Sequence, residues 1–183
     1  MSAKKKQHIV NEVNTLTSLN YPHLLRYYDY NINRQEVTVD ITVEKCEGGT
    51  LQDLICQHRR ERRPMEEGQI WDYFYQLAQA LEFVHSNNVL HRDLNPQHVL
   101  FKDSKQKHVK LAGFGQAKTL DTESQFGSTV LPNTHYLSPE QVEDGTTTTH
   151  TDVWGLGCLI YEMARLQAPF HHPNEFERVR MIR

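Results

Sequence analysis

Cysteine is scarce, long apolar runs are missing and no charge sign dominates, and each absence removes a class of protein. Cys46, Cys56 and Cys158 are the three cysteines. They form no C-x-x-C pair, and an odd count argues against a disulfide framework. That usage fits a reducing compartment, so a cytoplasmic or nuclear location is expected. No run reaches the roughly 18 apolar residues a membrane span needs. Met1-Ser2-Ala3-Lys4-Lys5-Lys6 opens a polar stretch without the apolar core of a signal peptide. A net charge of −3 gives no general attraction to nucleic acid or anionic lipid. Neither partner is therefore expected. The 11 histidines are scattered without paired ligand spacing, so a zinc site is not expected. Arg59-Arg60-Glu61-Arg62-Arg63 is a basic cluster interrupted by an acid, which reads as a solvated helix end.

Local signals are present in quantity. Ile9, Val13, Leu16 and Leu19 recur at helical spacing, and Pro22 ends that helix. Leu24 to Ile32 is extended. After a polar turn at 33–36, Val37, Val39, Ile41 and Val43 alternate with Thr38, Asp40, Thr42 and Glu44, which predicts a hairpin with one buried face. Gly48-Gly49 breaks the strand, and Thr50 with Asp53 is a capping-box start for a helix to about Arg60. A long amphipathic helix follows, with Ile70, Phe74, Leu77, Leu81 and Val84 on one stripe. Short strands are predicted at 99–101 and 109–111. Residues 113–148 lack periodicity, as a functional loop does. A last strong helix carries Val153, Leu156, Ile160, Met163 and Leu166, and Pro169 ends it.

Four short motifs occur in a fixed order. His91-Arg92-Asp93-Leu94 is followed by Lys110-Leu111-Ala112-Gly113-Phe114-Gly115, by Ser138-Pro139-Glu140 and by Asp152-Val153-Trp154-Gly155-Leu156-Gly157. They resemble the catalytic loop, the D-F-G segment, the A-P-E segment and the following helix of protein kinases. Glu12-Val13-Asn14, Arg26-Tyr27-Tyr28-Asp29, Cys46-Glu47-Gly48-Gly49 and Tyr136-Leu137-Ser138-Pro139-Glu140-Gln141 narrow the resemblance to the NIMA-related (Nek) serine/threonine kinases.

The resemblance implies an α+β chain: a truncated kinase-like fold with a two-stranded small-lobe remnant and one helix on a mainly helical large lobe. Residues 1–44 would be the small-lobe remnant, 45–49 the hinge, and 50–183 the large lobe without its final helices. No G-x-G-x-x-G occurs, so the glycine-rich loop and lysine strand are expected to precede residue 1. The chain then reads as a short gene product or a fragment.

By the same resemblance, Asp93 takes the position of the catalytic base and Asn95 that of the phosphate-steadying lysine. His98 replaces the metal-binding asparagine, and Gly113 the metal-binding aspartate. Magnesium wants hard oxygen ligands in near-octahedral array, which glycine and imidazole do not supply, so no metal is expected. Val43, Glu44, Cys46 and Leu100 take the adenine-site positions, with Thr50 a helix cap where many kinases have a ribose-binding acid. His91, Phe114, Leu16 and Tyr27 match the stacked column that joins the lobes, Asp152 the carboxylate that anchors the catalytic loop, and Arg92 the arginine that captures a phosphorylated loop residue, here Thr129 or Ser128. Asn133 replaces a threonine of the substrate-docking loop. The main expectation is a non-enzymatic pseudokinase without cofactor that binds a protein partner, with the strand around Val37 to Glu44 as an exposed pairing edge. The alternative is an active serine/threonine kinase using ATP and magnesium.

Overall fold

The computed structural model describes residues 14, 16–33, 38–114, 118–119 and 135–183. Leu24 bridges in parallel to Leu111, through Leu25 N–H to Leu111 O at 2.9 Å and Leu111 N–H to His23 O at 2.8 Å. The chain then forms β1 (Tyr27–Asn33), which pairs antiparallel with β2 (Thr38–Val43). Among the described residues β2 has no other strand neighbour. The predicted turn at 33–36 lies largely outside the described residues.

Helix α1 (Leu51–Glu61) starts where Thr50 accepts from Asp53 N–H and the Asp53 carboxylate accepts from Thr50 N–H at 2.9 Å. Both orphan donors are satisfied reciprocally, as the sequence predicts. It stops at Arg62, whose φ of 52° closes the last turn, so the basic cluster is indeed a helix end. Helix α2 (Glu67–Ser86) buries Ile70, Tyr73, Leu77, Ala80, Leu81 and Val84. Two-residue β3 (Val89–Leu90) leads through a loop to a 3₁₀ turn at Pro96–His98, and β4 (Val99–Phe101) pairs antiparallel with β5 (Val109–Leu111). Strand β6 (Lys118–Thr119) pairs with β3.

A short helix, α3 (Pro139–Glu143), sits in what the sequence reads as loop; Ser138 caps it with Gln141, and Pro139 fills its first position. Helix α4 (Thr149–Arg165) ends at Leu166 in the left-handed region (φ 56°). Helix α5 (Glu175–Ile182) is a further element missed in the sequence, where its eight residues carry little apolar periodicity.

One apolar cluster joins these parts, from Leu16 and Leu24 through Leu51, Ile55, Leu77 and Val84 to Leu159 and Met163. Two expectations fail at its border. Ile41 and Val43 are 43% and 39% exposed, so these two residues of the predicted buried hairpin face are not covered. A two-stranded ribbon has a core face only where another layer lies on it. Val153, placed by periodicity on the inner stripe of α4, is 57% exposed. The helix buries Leu156 and Met163 as the periodicity predicts, with Cys158 and Leu159 beside them.

Candidate active site

The loop between β3 and the 3₁₀ turn is held from three sides. From the first turn of α4, the Asp152 carboxylate accepts His91 N–H at 2.9 Å, Arg92 N–H at 2.8 Å and His85 Nε2–H at 2.8 Å. Burial pushes the Asp152 carboxyl up, but the His85 hydrogen bond, His91 and the two backbone N–H groups outweigh it and hold the group below its usual value. The second contact is close packing: a Cβ on Gly155 would lie 3.1 Å from Leu94 Cβ, so a glycine in α4 lets the loop settle on the helix. The third is the His91 ring, fully buried, with Phe114 at a centroid distance of 4.7 Å and Ala112 O at 2.7 Å from Nε2. A carbonyl can only accept, so Nε2 carries the proton and Nδ1 accepts Asp93 N–H at 3.3 Å. Burial keeps this imidazole's pKa below its ordinary value. Tyr27 meets the far side of Phe114 at 6.4 Å, nearly perpendicular, and Leu16 is buried in the same cluster. Three members of the predicted column, His91, Phe114 and Tyr27, are in ring contact.

Four predicted site residues come together here. Asn95, 3% exposed, donates from Nδ2 to Asp93 O and Oδ1, both at 3.1 Å, and accepts Gln97 N–H at 2.9 Å. It shapes the loop with its amide. His98 Nδ1 donates to Asp93 O at 2.7 Å and lies 3.6 Å from Asp93 Oδ2. Gly113, with φ 83°, lies beneath the His98 ring: a Cβ there would stand 2.2 Å from His98 Cγ and 2.3 Å from Nδ1. Arg92 has φ 71°, and its Nε is buried without a hydrogen-bond partner among the described residues. Thr129, Ser128 and Asn133 lie outside the described residues, so its predicted role in phosphate capture has no geometry here.

These residues do not fit magnesium. Gly113 offers no ligand, His98 Nδ1 is committed to Asp93 O, and the ring fills the space a carboxylate at 113 would use. Among the described residues no cluster of three or more His, Cys, Asp or Glu could hold a metal ion.

The adenine-site positions form a second group. Glu47 N–H to Lys102 O (3.2 Å), Gly48 N–H to Phe101 O (3.0 Å) and Phe101 N–H to Gly49 O (2.9 Å) lay the hinge along β4, bringing Leu100 beside it. Glu44 N–H donates to Arg26 O at 2.8 Å, and its carboxylate pairs with Lys110 Nζ at 2.8 Å in a largely buried ion pair. Cys46 is half-buried, and burial with the nearby Glu44 pushes its thiol up.

Sequence reasoning misses one charged centre. Glu162, on the inner side of α4 and 4% exposed, accepts a hydrogen bond from Tyr136 Oη and lies 3.8 Å from Arg59. Burial pushes the Glu162 carboxyl up. Gln52, His135 and His171 join these three in lining a cavity of about 580 Å³. The available signal was an acid between the apolar residues Ile160 and Met163.

A family model for the protein kinase domain matches residues 1–183, and the chain belongs to that family. Nek-family kinases are among its relatives at 32–40% identity, in agreement with the motif resemblance. A probable serine/threonine-protein kinase nek2 of Dictyostelium discoideum is 40% identical over 96% of the chain and 42% of its own length. The human serine/threonine-protein kinase Nek2 is 39% identical over 100% of the chain and 42% of its length. The Caenorhabditis elegans serine/threonine-protein kinase nekl-2 is 36% identical over 95% and 49%. The chain thus spans less than half of each. The expectation of a non-enzyme is corrected by these matches: the relatives are named as serine/threonine-protein kinases, which are enzymes.

Proposed function

We propose that this chain is the central part of a Nek-type serine/threonine kinase domain that, within a longer protein, transfers the γ-phosphate of ATP to a protein hydroxyl. The observation that carries the reading is the placement of Asp93. Its loop is fixed by Asp152, and Asn95 holds one carboxylate oxygen, Oδ1, at 3.1 Å. The other, Oδ2, stands 3.6 Å from His98 Nδ1, beyond hydrogen-bond distance, and is the oxygen placed to accept a proton from a substrate hydroxyl. In the transfer, the hydroxyl oxygen bonds to phosphorus, the bond to the ADP oxygen breaks, and the proton passes to Asp93. By the resemblance, Val43, Glu44, Cys46 and Leu100 take the positions beside the nucleotide base, a reading supported by the hydrogen bonds that lay residues 47–49 along β4. No step is assigned to a metal ion, because the residues at 98 and 113 do not supply its ligands. The partner this reading calls for is a protein substrate.

The test is transfer of labelled γ-phosphate to a protein substrate by the full-length protein, with Asp93→Asn beside it. Loss of a preorganised catalytic group lowers transfer about 10²–10³-fold, so the variant should fall by at least that factor. Equal transfer by both proteins, or none by either, would overturn the kinase reading.

A further inference from the structure

His98 lies between two strips of backbone. Its N–H donates to Asn95 O at 3.1 Å and its carbonyl accepts Ala112 N–H at 2.8 Å, so it ties the Asp93 loop to the segment that leaves β5 towards Gly113. Its ring lies on the Gly113 backbone: a Cβ at 113 would meet Cγ, Nδ1 and Cδ2 at 2.2, 2.3 and 2.6 Å. Real Cβ atoms do not approach that closely, and these ring atoms are held. Nδ1 is bonded to Asp93 O at 2.7 Å, with the Asn95 amide 3.0 Å away, and the His91 ring is 6.1 Å distant between centroids. The ring cannot retreat without breaking the contact that holds Asp93.

The two departures from the kinase pattern are therefore physically one. With glycine at 113 the imidazole has room; with the imidazole present only glycine fits. We propose that His98 and Gly113 form an interlocked pair in which a hydrogen-bonded imidazole takes the place of a metal ion, filling the space over residue 113 and holding Asp93 to the Gly113 turn. His98 is in this sense a positioning residue that acts through Asp93. The inference rests on the kinase reading for the meaning of Asp93, but the interlock itself is a statement about packing.

The experiment uses the full chain as wild type, His98→Asn, Gly113→Asp and the double variant, each melted with ATP in the presence of magnesium or of a chelator. Overpacking a fitted site at a left-handed position should lower the Gly113→Asp melting temperature by roughly 2–12 °C in a chain of this size. His98→Asn removes the obstruction, so the double variant should melt above Gly113→Asp. A sum of the two single effects would overturn the interlock. Magnesium should leave wild-type melting the same as chelator does, and a magnesium-specific rise would overturn the replacement of the ion. Where Gly113→Asp gives no soluble protein, recovery in the double variant reads the same coupling and continued loss overturns it. None of these readouts uses phosphate transfer, so failure of the kinase reading leaves them independent.

Discussion

Removing the Asp152 carboxylate is the most direct way to test whether α4 holds the catalytic loop in place. Asp152→Ala leaves three donors without their acceptor: the backbone N–H groups of His91 and Arg92 and the His85 ring N–H. His91 is fully buried and Asp152 is 1% exposed, so water does not readily replace the lost oxygens. A buried orphan donor costs about 1–3 kcal/mol. His85 reaches solvent on one side (16% side-chain exposure) and sits at the low end of that range. The Arg92 N–H is only part-buried and sits there too, so with the buried His91 N–H the total comes to about 3–5 kcal/mol, which matches the loss on breaking a buried charged pair. Natural domains hold only about 5–15 kcal/mol, and at this size 1 kcal/mol moves the melting temperature about 2–4 °C. The variant should then melt roughly 6–20 °C below wild type at neutral pH, with faster amide exchange at His91 and Arg92. The folded carboxyl is held below its ordinary value, so its contribution is complete above the unfolded value near pH 3.9. It fades as pH falls through the folded value, and the gap between wild type and variant should close below about pH 4. A loss under about 1 kcal/mol with unchanged exchange at both amides would refute the anchoring role.

Two further outcomes follow from buried charge. Glu162 has its carboxyl raised by burial, so the folded state binds its proton more tightly than the unfolded one, and the associated stability is lost as pH rises from the unfolded value near 4.3 through the folded one. Glu162→Gln should gain stability relative to wild type on going from pH 4.5 to pH 8, and a pH-independent difference in melting temperature would refute this. The Lys110–Glu44 pair, with side chains 9% and 14% exposed, ties the hinge to β5. Lys110→Met should lose about 3–5 kcal/mol in urea unfolding because Glu44 is left buried and unpaired, and adding Glu44→Leu should recover part of it; a double variant no more stable than the single one would count against the pairing.

Reading from residues to chemistry succeeded where the causes were local. The Thr50–Asp53 box, the stripe of α2 and the strands at 99–101 and 109–111 are set by neighbours three or four residues away or by alternation. The site loop was legible because its motif is contiguous. Its departures at His98 and Gly113 were visible as missing ligands, yet they supported the wrong conclusion about enzyme class. A count of absent ligands carries no information on what replaces them.

By itself, the sequence determined the family, the order of the long elements and the identity of the loop that carries Asp93, because short motifs and local periodicity need no knowledge of what packs where; the short helices α3 and α5 escaped it. Only the tertiary structure decided which faces were covered: Ile41, Val43 and Val153 came out exposed, and Glu162 buried against Tyr136. It also decided that the imidazole of His98 rests on Gly113, fifteen positions along the chain. Burial and close approach depend on the meeting of elements distant in sequence, and no window of residues records that meeting.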